Sequence, residues 1–109
     1  MDRVMNDCLF CKIINKELSA KIVYEDDEIL AFHDIRPKTD IHYLIIPKQH
    51  IASLYDITVT HAEMMGNLLV KANEIAVNSG INGYKILINN GVKGGQEVFH
   101  IHLHLLANK

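Results

Sequence analysis

From residue 99 onward the chain alternates. Phe99-His100-Ile101-His102-Leu103-His104-Leu105 sets an apolar residue at each odd position and a histidine at 100, 102 and 104. A period of two belongs to a β-strand with two unlike faces. The pattern predicts a strand over Val98 to Leu106, with Phe99, Ile101, Leu103 and Leu105 on one face and His100, His102 and His104 on the other. Four shorter β-rich runs precede it: Ile22-Val23-Tyr24, Glu28 to His33, Tyr43 to Ile46 (closed by Pro47) and Lys85 to Ile88. The period changes between the third and fourth. Met65, Leu68, Leu69, Ala72, Ile75 and Ala76 recur at helical spacing, after Thr60-His61-Ala62-Glu63, which has the form of a capping box. Gly80 is a suitable stop. A short helix is predicted over Cys8 to Asn15, with Leu9, Phe10, Ile13 and Ile14 apolar. The first three strands follow one another without long crossovers, which favours antiparallel pairing. The predicted class is α+β: a five-stranded antiparallel sheet with one long and one short helix, the long helix packed on one face.

Composition narrows this to one domain, residues 1–109. With 109 residues and 49% apolar content, the chain can bury a single core. Eleven Lys+Arg against thirteen Asp+Glu give a net charge of -2, which excludes a broad basic face for nucleic acid or an anionic membrane. No apolar run reaches the ~18–20 residues of a membrane span, and Met1 to Asp7 lacks the form of a signal peptide, so a cytoplasmic location is expected. Seven histidines against no tryptophan is the unusual feature.

Histidine has no β propensity that would explain three in strict alternation. Two kinds of chemistry use such a row: metal binding and phosphoryl transfer. The preceding loop, Asn89-Asn90-Gly91-Val92-Lys93-Gly94-Gly95, favours the second, because glycines let backbone N–H groups converge on a phosphate. Cys8 and Cys11 form a C-x-x-C pair. A redox pair of the thioredoxin kind would follow a strand, and none precedes Cys8. Half of a metal site and two buried reduced thiols both stay open.

His100-Ile101-His102-Leu103-His104-Leu105-Leu106 resembles the signature of the histidine triad (HIT) superfamily. Ala31-Phe32-His33-Asp34-Ile35, His42 to Ile51 and Asn89 to Gln96 resemble its HINT branch, the nucleoside phosphoramidases. The resemblance runs from about Cys8 to the end. It implies a purine nucleotide substrate, of the AMP or GMP type, attacked at phosphorus by His102, with His104 contacting the phosphate and carrying a proton. His100 and His50 complete the implied catalytic set. Asn89 and backbone groups near Gly95 and Glu97 would hold phosphate oxygens, Asp34 the ribose hydroxyls, and Leu9, Phe10, Ile13, Phe32 and Ile35 the base. Relatives often carry serine where this chain has Glu97, so its carboxylate is expected to point away. No metal is needed for the reaction, but Cys8, Cys11, His50 and His100 could form a closed structural zinc site. A homodimer with a continuous larger sheet is implied. The sister activity on dinucleoside polyphosphates, and a regulatory nucleotide-binding role with incidental catalysis, are the alternatives. Ala107-Asn108 stands where many relatives have a glycine pair before a tail that walls the neighbouring site, so weak discrimination among amine leaving groups is expected. His33, His42 and His61 are expected to be strand-end or helix-surface residues.

Overall fold

The computed structural model describes residues 7–109. In chain order they form α1 (Leu9–Ile14), β1 (Ile22–Glu25), β2 (Ile29–His33), β3 (Ile41–Pro47), two 3-10 turns (Leu54–Asp56 and Val59–His61), α2 (Ala62–Asn78), β4 (Lys85–Leu87), a third 3-10 turn (Val92–Gly94) and β5 (Leu103–Ala107). The strands make one sheet in the order β1-β2-β3-β5-β4. Every neighbouring pair is antiparallel.

Each face of the sheet has its own cover. Ile29, Ala31, Ile45, Leu103 and Leu105 pack against Leu68, Ala72, Ile75 and Ala76 of α2. Leu30, Phe32, Leu44 and Ile46 turn the other way and pack with Cys8, Phe10, Cys11 and Ile13 from the α1 segment. This explains why β2 and most of β3 read as unbroken apolar runs: both faces are buried, so neither carries polar residues to mark the alternation. β5 keeps its alternation because its second face bears imidazoles.

The α2 helix ends as its sequence predicts. Ile81 N–H donates to Ala76 O at 3.0 Å across Gly80, which takes φ +73°. That is the six-to-one closure glycine makes possible. The start differs from the expectation. The cap is Thr58 rather than Thr60: Thr58 Oγ1 accepts from Thr60 N–H, and Thr58 N–H donates to His61 Nδ1 at 2.9 Å. An imidazole nitrogen does the work expected of the Glu63 carboxylate, so the chain enters α2 through the Val59–His61 turn.

The last strand also starts later than predicted, at Leu103 instead of Val98. Residues 98–102 are held by other bonds. Ile101 N–H donates to Ile51 O at 2.7 Å, His100 Nε2 donates to Pro47 O at 2.8 Å, and His102 Nδ1 donates to His100 O at 2.8 Å. Ile101 is buried as expected, but Phe99, placed on the apolar face by parity, is 42% exposed because no strand carries it there. Leu69, Val70 and Val77 stand exposed on α2, and β4 forms a sheet edge. Among the described residues no helix is long and apolar enough to cross a membrane.

Candidate functional site

The three histidines of the alternating run lie on the α1 side of the sheet. Phe10 ties two of them together. Its ring stands edge-on to His102 at 5.1 Å, to His100 at 5.9 Å and to Phe32 at 5.4 Å. His100 is fully buried and His102 nearly so. The row is therefore walled in rather than displayed to solvent, and the two ends of it enter different clusters.

At the His100 end, Cys8, Cys11, His50 and His100 bring one donor atom each within 4.8 Å of all the others. His100 Nδ1 lies 3.5 Å from Cys8 Sγ and 3.6 Å from Cys11 Sγ. His50 Nδ1 lies 3.4 Å from Cys11 Sγ and 3.2 Å from His100 Nδ1. A tetrahedral zinc with Zn–S of about 2.3 Å and Zn–N of about 2.0–2.1 Å has S–N edges near ~3.5 Å and an N–N edge near ~3.3 Å. The four separations fit those edges. The tautomer fits as well. Pro47 O takes the Nε2–H of His100, which leaves the Nδ1 lone pair facing the sulfurs. Burial holds His100 down to about 4, so the ring is neutral. Burial raises the Cys8 thiol, while the Cys11 N–H, 3.3 Å from Cys8 Sγ, pulls it back. The cysteines reach this point because Cys8 is the N-cap of α1 and Cys11 sits one turn on.

At the other end, His104 Nδ1 meets His42 Nε2 at 2.9 Å, with Asp34 Oδ2 3.4 Å from the same His42 nitrogen. These three donors also converge within 4.8 Å, but the backbone gives them another character. Lys38 N–H donates to His42 Nδ1 at 3.1 Å. A backbone N–H can only donate, so a neutral His42 carries its proton on Nε2 and presents N–H, not a lone pair, to His104. His104 Nδ1 accepts it and keeps its own proton on Nε2. Burial lowers His42, with Asp34 opposing, and burial with His102 and His42 nearby lowers His104 to about 4. Both rings are thus neutral near pH 7, and the Asp34–His42 contact sets a carboxylate beside a neutral ring rather than forming an ion pair.

Between the clusters, His102 donates from Nδ1 to His100 O, which leaves Nε2 as its lone-pair nitrogen. Burial lowers its pKa, partly offset by that carbonyl.

The residues implied for nucleotide binding divide into two groups. Phe10, Ile13 and Phe32 are buried in the layer beneath α1, whereas Leu9 is 44% exposed and Ile35, at 85%, stands out in solvent. Asp34 Oδ1 accepts Arg36 N–H at 2.8 Å, so one carboxylate oxygen is already used in its own turn. In the glycine loop, Gly95 N–H donates to Val92 O, which removes it as a phosphate donor. Gly95 nevertheless has to be glycine: its φ is +92°, and a Cβ there would stand 3.2 Å from Asn89 Nδ2. Asn89 Nδ2 donates to Gly94 O at 2.9 Å, turning the Asn89 side chain into the loop. Among the described residues no protein acceptor takes the Glu97 N–H, while its side chain is exposed. A cleft of about 370 Å3 opens beside this point, lined by Asp7, Cys8, Leu9, His50, Ala52, Glu97, Val98 and Phe99.

Two of the lone histidines were undervalued by sequence. His61 caps a helix entry, and His42 is buried and directs the tautomer of His104. A signal for His42 was present. It shares parity with Leu44 and Ile46, the inward positions of β3 on the α1 side. His33, at the end of β2, meets the Tyr43 ring edge-on and is half-buried, as expected of a strand-end residue.

Comparison with known proteins finds relatives over nearly the whole chain. A family model described as "Scavenger mRNA decapping enzyme C-term binding" matches residues 7–109. "Protein HitA" of Neisseria gonorrhoeae is 48% identical over 104 residues, covering 94% of this chain and 97% of that protein. A "Purine nucleoside phosphoramidase" of Escherichia coli K12 is 41% identical over 105 residues, covering 94% and 88%. The crystal structure of a HIT family hydrolase from Legionella pneumophila superposes with a TM-score of 0.91 at 48% identity, covering 93% of this chain and 92% of that one.

Proposed function

Because the chain belongs to the histidine triad (HIT) family, a family that includes hydrolases, we propose that it hydrolyses purine nucleoside 5′-phosphoramidates through a nucleotidyl intermediate on His102. The observation that carries this reading is the 2.8 Å bond from His102 Nδ1 to His100 O. It fixes the tautomer in which Nε2 holds the lone pair, the form a nucleophile needs. Nε2 attacks phosphorus in line, and the P–N bond breaks as the amine nitrogen takes a proton. The His42–His104 pair can deliver that proton. The proton that the amine takes would come from solvent by way of His104 Nε2, the ring nitrogen that His42 leaves free, and the water that hydrolyses the intermediate returns one. Water then hydrolyses the nucleotidyl-histidine, which is itself a phosphoramidate, by the reverse path. In this reading Asn89 and the Glu97 N–H would meet phosphate oxygens, and Phe10, Ile13 and Phe32, with Leu9 at the rim, would form the wall for a purine.

The test is His102→Asn. Release of amine from adenosine 5′-phosphoramidate should stop, while AMP affinity stays within a few-fold, because asparagine keeps polar volume but cannot form the covalent intermediate. Turnover that survives the substitution would sink the assignment.

In the same reading, Cys8, Cys11, His50 and His100 hold a structural zinc ion. The four-ligand set is closed, so the ion would tie α1 to the catalytic segment without touching substrate. A cytoplasmic setting would keep the thiols reduced. The exposed Leu69, Val70 and Val77 on α2, together with the β4 edge, would form the contact of a homodimer. Sedimentation should then give twice the 12.4 kDa chain mass, and Val70→Glu should return it to the single value.

A further inference from the structure

Gln96 is 5% exposed and its side-chain amide is filled from both ends. Oε1 accepts Gly91 N–H at 2.9 Å. Nε2 donates to Ala52 O at 2.8 Å and to Val98 O at 3.1 Å. Its backbone completes the pattern, since Gln96 N–H donates to Gly91 O at 3.0 Å. Gly91 and Gln96 therefore hold each other twice, once through the main chain and once through the amide, and the Val92–Gly94 turn is closed between them. The far end of the same amide reaches Ala52, in the segment that also supplies His50 to the cysteine cluster and Ile51 O to Ile101 N–H. One side chain thus fixes the glycine loop relative to the backbone that carries His100 and His102.

The requirement on residue type is narrow. The site needs one acceptor facing an N–H and one double donor facing two carbonyls. A glutamate would set a carboxylate oxygen against the Ala52 and Val98 carbonyls. A methionine of similar length would leave the Gly91 N–H and both carbonyls without their partner. Asparagine is shorter by one methylene and cannot span both ends. Gly91 is also constrained: its φ is +77°, and a Cβ would reach the Tyr55 ring at 3.4 Å.

We propose that Gln96 is a positioning residue for the substrate phosphate, acting through the shape of the Asn89–Gly95 loop without touching the reacting atoms. This rests on the phosphate role proposed above for that loop. The loop holds the phosphate end of the ligand, while the base wall belongs to α1 and β2. Loss of Gln96 therefore weakens a ligand with a phosphate and spares one without it.

The experiment is calorimetric titration of AMP and of adenosine into the wild-type protein, Gln96→Met and Gln96→Glu. Both variants should lose affinity for AMP by a factor on the order of fivefold or more beyond any loss for adenosine. A smaller difference, or equal loss for the two ligands, would overturn the proposal, because that is what general structural damage produces. Wild-type protein that binds AMP no better than adenosine would instead remove the phosphate reading of the loop, and this inference with it. Amide hydrogen exchange on the wild-type protein tests the clamp without any variant. The Gly91 N–H should be strongly protected, and exchange at the rate of an open loop would refute it.

Discussion

Cys8, Cys11, His50 and His100 on the one hand, and Asp34, His42 and His104 on the other, each gather their donor atoms within 4.8 Å. Counted as titratable residues the two groups look alike. The main chain makes them different. In the first, a carbonyl, Pro47 O, takes the Nε2 proton of His100 and turns a lone pair inward. In the second, an amide, Lys38 N–H, occupies the Nδ1 lone pair of His42 and turns a proton inward. The first group is arranged to accept a cation. The second has its short 2.9 Å nitrogen-to-nitrogen distance because a hydrogen bond already joins the rings. Which side of an imidazole the backbone occupies decides whether the ring serves as ligand or as proton carrier.

The largest test of this contrast removes the sulfurs. Cys8→Ala/Cys11→Ala should abolish zinc content, measured as one equivalent per wild-type chain by mass spectrometry of the metal. It should also lower the melting temperature by on the order of ten degrees or more, as expected when a tightly bound ligand of the native state is lost. His42→Phe in the same assay should leave zinc content unchanged. A wild-type protein prepared with zinc that retains none would remove the metal from the first cluster altogether.

The second test breaks the proton pair. His42→Phe keeps the ring volume and loses both nitrogens. Turnover should fall on the order of ten- to a hundredfold, below the 10²–10⁴ attributed to an acid–base group itself, with KM changed much less. An equal rise in KM would mean that His42 shapes the binding site instead.

The smallest effect is on acid stability. His104 titrates at about 4 in the folded chain against about 6.5 when unfolded, and His42 shifts in the same direction. Between those values the unfolded chain binds protons that the folded one excludes. Stability is therefore full above about pH 6.5 and declines as pH falls toward 4. Urea midpoints at several pH values should show the decline, and His104→Asn should make it shallower. An identical slope in that variant would show that His104 does not contribute.

The contrast also separates what was readable in the sequence from what was not. Parity placed His100, His102 and His104 on one face and Leu103 and Leu105 on the other, and a period of 3.6 located α2, because burial imposes those repeats directly. Parity overextended β5, since His100 and His102 bind backbone carbonyls with their rings and the segment never joins the ladder. Parity marks His42 as an inward position of β3 but does not give its role, which depends on an amide four residues earlier in the chain. The start of α2 was misplaced for a similar reason: the residue that reaches back to the cap is a histidine, outside the usual Glu or Gln. The resemblance to the HIT superfamily supplied the nucleotide residues as a set. Only coordinates distinguish Phe10, Ile13 and Phe32, which are packed, from Ile35, which is not.

Cys8 and His100 are 92 residues apart in the chain and 3.5 Å apart in space. During folding, that separation makes the site a late event. The sheet can pair β1, β2 and β3 through local hairpins, but neither the cysteine cluster nor the Phe10 packing on His102 exists until the first helix meets the penultimate segment of the chain. Closing so long a loop is entropically costly and slow compared with hairpin formation. A chain that has paired only β1, β2 and β3 therefore has neither the cysteine cluster nor the packing of Phe10 on His102.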